Sequence, residues 1–252
     1  MSGFVVKPNL PINAKVLLLG QKYSDILKNS LKRLDIEPVF VPDNSSVDSR
    51  LAGHADLSVF HLGGEKCLLA AELKGSAFEE KLKEIGLKLS FLEKNLDEKY
   101  PDDAALNACA VGNVLIYNRS SASGQIVVFF TNANGVMVQT KQGYTKCSVC
   151  VVDERSIITA DRGIAAIAEC VGLDVLLISQ GYVNLPGFDY GFIGGATFKL
   201  SADKLAFTGS LDAHPDKIRI LYFLDYKGVK PVFLTDLPVF DIGGAIPIIE
   251  NE

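Results

Sequence analysis

The chain has 252 residues, 48% of them apolar and 22% charged, with a formal net charge of −5. That length can bury a substantial core and admits one or two domains, and the composition excludes a disordered or low-complexity protein. Lys and Arg scattered through an acidic chain argue against a nucleic-acid surface, and Val16 to Leu19, the longest apolar run near the start, is too short to span a bilayer. Without a basic start leading into a long apolar run, the expectation is a cytoplasmic protein whose five cysteines, an odd number, are reduced thiols.

The elements recur in one order: helix, turn, short β-branched strand, loop, then two more apolar runs. Two copies carry a tag, Gln142-Gly143-Tyr144 and, 38 residues later, Gln180-Gly181-Tyr182, and a fixed period of this size signals a repeat architecture. The first unit, 24–74, opens with a helix over 24–34 with Ser24 as its N-cap, a strand at 38–41, and apolar runs at 56–64 and 67–70. The second, 77–118, has an amphipathic helix over 77–85 stopped by Gly86, a strand at 87–89, and runs at 105–112 and 114–117. The third, 121–160, reads as a helix through 126–130, a strand at 136–139, and runs at 147–152 and 156–159. In the fourth, 161–209, Asp161 caps a helix with Ile164, Ile167 and Ala168 on one face and Gly172 as its stop; strands follow at 175–178, 191–195 and 205–207. The fifth, 213–249, has a helix after His214-Pro215-Asp216, strands at 231–234 and 240–244, and a final run at 246–249, where the chain ends.

The strand that the fifth unit lacks is supplied by the unassigned apolar run at 14–20. Five units of about 40 to 50 residues, each a helix with short strands, make a single-domain α/β-propeller over 1–252, pseudo-symmetric and closed by the N-terminal strand. This architecture resembles the pentein fold of the guanidino-group modifying enzymes: arginine deiminases, dimethylarginine hydrolases and amidinotransferases. The phrases His54-Ala55-Asp56-Leu57-Ser58, Tyr144 to Glu154, Ile158-Thr159-Ala160-Asp161 and Gly191 to Thr197 are also similar to those of an uncharacterised bacterial family assigned to that fold.

The resemblance implies an early carboxylate pair that holds a guanidinium, a third-unit histidine that moves protons, and a cysteine near the C-terminus that attacks the guanidinium carbon. This chain departs from each. No cysteine follows Cys170, Lys146-Cys147 stands where the histidine is expected, and Asn107 and Asn113 replace the acidic stretch. Guanidine hydrolysis by the family's own residues is therefore not expected, and fold alone does not restore it.

The repeat alignment instead sends His54, Asp56, Asn107, Tyr144, Lys146, Cys147, Tyr182, Asp189 and Asp241 to the central mouth, the default ligand site. His54 and Asp56 share a face if their segment is extended, so an imidazole and a carboxylate can orient each other; a turn residue and a strand cap are the plain alternative. Cys147 beside Lys146 is a candidate nucleophile, set against a buried cysteine that only packs. Asp189, after Pro186-Gly187, reads either as a carboxylate for a cationic ligand or as a turn former. The Cys147-Ser148-Val149-Cys150 spacing invites a redox or zinc reading, but positions three apart in a strand face opposite sides and there is no second such pair, so packing is the favoured reading. Gly63-Gly64, Gly194-Gly195 and Gly243-Gly244 at one register suggest close backbone approach, and His61 and His214 read as structural. There is no metal-ligand cluster of recognised spacing and no nucleotide or other cofactor signature. The expected function is binding of a small cationic or amide-bearing metabolite, any chemistry being hydrolysis or transfer at a C–N centre without the family's usual catalytic residues; the alternative is a non-catalytic interaction protein that uses one face of the ring for a protein partner.

Overall fold

The computed structural model describes residues 2–251; Met1 and Glu252, the ends of the expected domain, lie outside the described residues. Its mixed α/β fold consists of five small sheets. Each is built from an antiparallel strand pair, a helix that crosses over, and a third strand parallel to the second, as short hairpin links and longer helical crossovers require. Four of them follow chain order. Val59–Gly63, Lys66–Leu69 and Lys88–Phe91 flank helix Ala77–Ile85. Cys109–Val111, Val114–Tyr117 and Val136–Gln139 flank Gly124–Asn132. Val149–Val151, Ser156–Thr159 and Asp174–Leu177 flank Arg162–Cys170, and Thr197–Ser201, Lys204–Phe207 and Lys230–Phe233 flank Lys217–Tyr226.

The fifth sheet joins the two ends of the chain. Ala245–Asn251 runs antiparallel to Ala14–Gly20, which pairs in parallel with Glu37–Val41 across helix Ser24–Arg33, and Ser2–Phe4 adds an outer strand to Ala245–Asn251. The expected units are out of phase with the sheets, since each begins at a helix and its first strand belongs to the preceding sheet; 191–195 and 240–244, expected as strands, are instead glycine-containing segments that lead into Thr197–Ser201 and Ala245–Asn251.

One pattern explains why the five helices sit alike. Leu27 and Leu31, Phe78 and Leu82, Ile126 and Phe130, Ile164 and Ala168, and Ile220 and Leu224 are all buried pairs four residues apart, the spacing that puts two side chains over one another on a helix face. Ser76, Ser123 and Asp161 accept backbone N–H groups at helix starts, and Gly86 closes its helix at φ 98°, a left-handed conformation that glycine adopts without a Cβ clash. Ser24 is not a cap: the helix starts at Ser24 itself, after Tyr23, with no side-chain cap.

The segment before Ala14 touches every sheet. Besides the pairing of Ser2–Phe4, Val5 O accepts from Gly64 N, Lys7 pairs with Glu154, Asn9 Nδ2 donates to Ala110 O, and Ile12 O accepts from Ala202 N. No helix among the described residues is long and apolar enough to cross a membrane. Leu18, fully buried in the strand that joins both chain ends, is a position where truncation leaves a cavity. Leu18→Ala should cost about 2–5 kcal/mol, read as a lower urea midpoint with an unchanged denaturant slope.

Candidate functional site

Short helical turns precede two of the inner strands and carry much of the site. Ala55–Ser58, with His54 at its N-cap position, leads into Val59–Gly63, and Thr145–Ser148 leads into Val149–Val151. These turns oppose residues 191–195 and 241–244, whose glycines let backbone and side chains approach closely. A Cβ at Gly195 would lie 1.9 Å from Asp241 Oδ1, and one at Gly191 would lie 2.6 Å from the Asp241 Cβ. At Gly243, with φ 70°, a Cβ would lie 2.5 Å from that of His54.

At this meeting point the Cys147 thiol donates to Asp56 Oδ2 at 2.9 Å, and Asn107 Nδ2 donates to Cys147 Sγ at 3.3 Å. Asn107 Oδ1 accepts the backbone N–H groups of Lys146 and Cys147, which locks the turn. Asp241 accepts the N–H groups of Phe192 and Gly243, and its Oδ1 lies 3.9 Å from His54 Nδ1. All of these side chains are buried, yet Asp56 Oδ1 and His54 Nε2 have no hydrogen-bond partner. Above them is a pocket of about 270 Å³, lined by His54, Cys147, Asp189 and Asp241 among the aromatic rings of Tyr144, Phe188, Tyr190 and Phe192, near the lower end of the ~300–1,000 Å³ usual for drug-sized ligands.

Electrostatics keeps the thiol protonated. Burial, then the charges of Asp56 and Asp241, push the Cys147 pKa well above its ordinary value. Burial also raises that of Asp56, against the opposing pull of His54, Lys146 and the Cys147 hydrogen bond. A cation in the pocket would oppose both shifts through its charge. One donor atom each from His54, Cys147 and Asp241 lie within 4.8 Å of one another, a spacing that a divalent cation can bridge. Residues so far apart in the chain carry no motif, so a search for ligand spacing does not find them.

The expected site residues separate into three groups. His54, Tyr144, Cys147, Asp189 and Asp241 line the pocket. Asp56 and Asn107 sit behind it in contact with Cys147, and Lys146 is buried beside Asp56 around a cavity of about 20 Å³. Tyr182 lies elsewhere, half exposed and packed on the His214 ring. Tyr144 instead turns inward and donates to Asp103, so the two tagged tyrosines have different surroundings.

Several local expectations are corrected. His54 and Asp56 do not share the face of an extended strand; a helical turn brings them to the same centre. Cys147 and Cys150 are not in one strand, since the first lies in a helical turn and the second in Val149–Val151. Gly63-Gly64 forms a hairpin turn near Val6, while the other two glycine pairs precede their strands at the site. His61 Nε2 contacts Gly64 O, and burial lowers its pKa to about 4; His214 accepts from Asp216 N. Sequence reasoning missed Tyr23, which packs on His54, and the aromatic wall; the alternation Tyr190-Gly191-Phe192 beside Asp189 was its available signal.

The fold is similar to that of solved structures of the pentein superfamily. Inosamine-phosphate amidinotransferase from Streptomyces griseus has a TM-score of 0.58 at 10% identity, with 98% of this chain and 97% of that one covered. Agmatine deiminase of C. jejuni with substrate bound has a TM-score of 0.57 at 11% identity, covering 92% and 91%. A mutant of DDAH from Pseudomonas aeruginosa complexed with citrulline has a TM-score of 0.56 at 10% identity, covering 89% and 92%. No curated protein matches the sequence. Residues 18–246 match a family of unknown function, DUF6873, and the chain belongs to that family.

Because folding raises the Asp56 pKa, this group costs stability as pH climbs through the carboxylate range, and the cost is greatest above the folded-state value. Asp56→Asn keeps an acceptor for the thiol and removes the charge. Its urea midpoint should exceed the wild-type one at pH 7, and the gap should narrow as the pH falls toward 3.

Proposed function

We propose that the five sheets are the blades of one pseudo-fivefold α/β-propeller, closed by pairing of the chain ends and forming a single domain, and that its central pocket binds a small cationic metabolite. The composition repeated in each sheet and the N-terminal segment that reaches all five support the architecture. The observation that carries the ligand class is the pocket itself: Asp241 and Asp189 among four aromatic rings, a surface suited to a desolvated planar cation.

The same arrangement supports chemistry at a C–N centre. Bound cation lowers the thiol pKa, and Cys147 Sγ adds to the planar carbon while its proton passes to Asp56 Oδ2. The C–N bond then breaks as the His54 imidazolium protonates the leaving amine. Water adds to the carbon as it gives a proton to His54, the S–C bond breaks, and Asp56 returns its proton to the thiolate, which makes the overall reaction a hydrolysis; a second amine in place of water makes it a transfer. The roles are those of nucleophile and acid–base pair, carried by residues other than those that the family resemblance implies.

Agmatine, arginine and methylguanidine are suitable first probes in a thermal-shift titration, since a ligand at about 100 times its Kd adds about 2.7 kcal/mol of stability. A saturable rise is expected, accompanied by ultraviolet thiolate absorbance that Cys147→Ser abolishes, and by release of ammonia or amine. Titrations run with and without chelator separate this from metal binding by the same donors. Binding without thiolate formation or turnover would refute the chemistry, and no shift from any cationic probe would refute the ligand class.

A specific observation favours a second reading, that of an interaction protein. Ile218, Tyr222 and Tyr226 recur every four residues on helix Lys217–Tyr226 and are 81%, 73% and 75% exposed, an apolar stripe of the kind that partner proteins cover. If the stripe mediates self-association, sedimentation velocity should detect concentration-dependent dimer in the wild type and monomer in Tyr222→Lys, with thermal stability unchanged.

A further inference from the structure

A larger cavity, about 740 Å³, adjoins the thiol pocket, with Phe192 lining both. Its walls bring together features that the function above does not use. Gln142 and Gln180, the first residues of the two tagged tripeptides, both line it, as do Asp161, Arg162 and Gly163 at the start of helix Arg162–Cys170, with Arg219 and Ser148. We infer that this cavity is an oxyanion-binding site, taking the carboxylate or phosphate group of a small molecule.

Three observations support this independently. The first turn of a helix leaves amides without intrahelical acceptors and carries the positive end of the helix dipole. Here the Asp161 carboxylate occupies the Ile164 N–H at 2.8 Å and Asp161 O accepts from Ala165 N, which leaves the amides of Arg162 and Gly163 for an external acceptor. Ser148 is only 3% exposed and its Oγ has no hydrogen-bond partner, although the residue lines the cavity; a buried hydroxyl left unpaired costs stability unless something occupies it. Finally, two guanidinium groups border the same space. Arg162 is exposed, and Arg219 is already oriented by Asp216 Oδ1 at 2.5 Å and Leu177 O at 3.1 Å.

The charges opposing an anion are accounted for. Asp161 is turned onto the helix amide that it caps, and Asp216 accepts from Ser179 N as well as from Arg219. Asp216 is held at a pKa of about 2 by these hydrogen bonds and the Arg219 charge despite its burial, so it remains an anion that neutralises part of Arg219. Arg162 and the helix start therefore supply most of the attraction. Gln142 Oε1 is used by Tyr144 N, and the Gln180 amide donates to Tyr190 OH; the free amide group of Gln142 is a further donor for an oxygen-rich ligand.

The test is isothermal titration of the full-length protein with inorganic phosphate and, separately, with acetate, at constant ionic strength set by sodium chloride. Saturable binding of at least one probe is expected, and the arm that binds more tightly identifies the group. Loss of one charge-assisted hydrogen bond weakens binding by about tenfold or more, so Arg162→Gln should do so, and Ser148→Ala should weaken it several-fold. Cys147→Ser, which lies in the other pocket, should leave anion affinity unchanged, so this inference stands or fails apart from the thiol chemistry. Binding that persists undiminished in Arg162→Gln, or the absence of saturable binding for both probes, would overturn it. Circular dichroism of each variant confirms that a loss is not unfolding.

Discussion

The antiparallel pairing of Ala245–Asn251 with Ala14–Gly20 is the constraint on which the rest depends. It ties the last strand of the chain to the first long one, and so sets the segment that carries Asp241 and Gly243 against the segment that carries His54 and Asp56. The contact is close enough that a Cβ at Gly243 would lie 2.7 Å from Asp56 Oδ1. Without the pairing, the imidazole and the last carboxylate would belong to opposite ends of a chain of small sheets, none of which has a large core of its own.

Bringing acidic groups together in a buried space has an electrostatic cost that the site distributes rather than avoids. Asp241 is held by two backbone N–H groups, Asp56 by a thiol proton, and Cys147 by the Asn107 amide. Each hydrogen bond lowers the penalty of burial without adding a cation. The nearest lysine, Lys146, is placed behind Asp56 rather than at the mouth. Under the proposed function, a cationic ligand supplies the missing countercharge and so links ligand binding to the protonation state of the thiol.

Glycine distribution follows from the same crowding. Gly191, Gly194, Gly195 and Gly243 lie where a Cβ would meet Asp241, the Lys146 and Val149 carbonyls, or His54, so small residues allow strands from different sheets to approach and deliver polar side chains to one point. The aromatic wall then covers that point. Phe192 stands between the thiol pocket and the neighbouring cavity, giving one short segment, Gly191 to Gly195, a part in both.

Much of the fold was legible in the sequence because its signals are local. Helices announced themselves through apolar residues spaced along one face, through caps such as Asp161 and through stops such as Gly86, and short β-branched runs marked the strands. Their repetition was enough to suggest five units and a pentein-like architecture. The candidate residues were legible as types, since His54, Asp56, Cys147 and Asp241 are polar groups in otherwise apolar surroundings. Tertiary structure alone decided which of them meet. Helical turns rather than extended strands direct His54, Asp56 and Cys147, and pairing of the chain ends brings in Asp241; Tyr182, which shares its motif with Tyr144, is left outside. Sequence determines conformational preference over a few residues, whereas distance across a pocket depends on how separate sheets pack, and that packing is settled by burial and backbone approach between residues far apart in the chain.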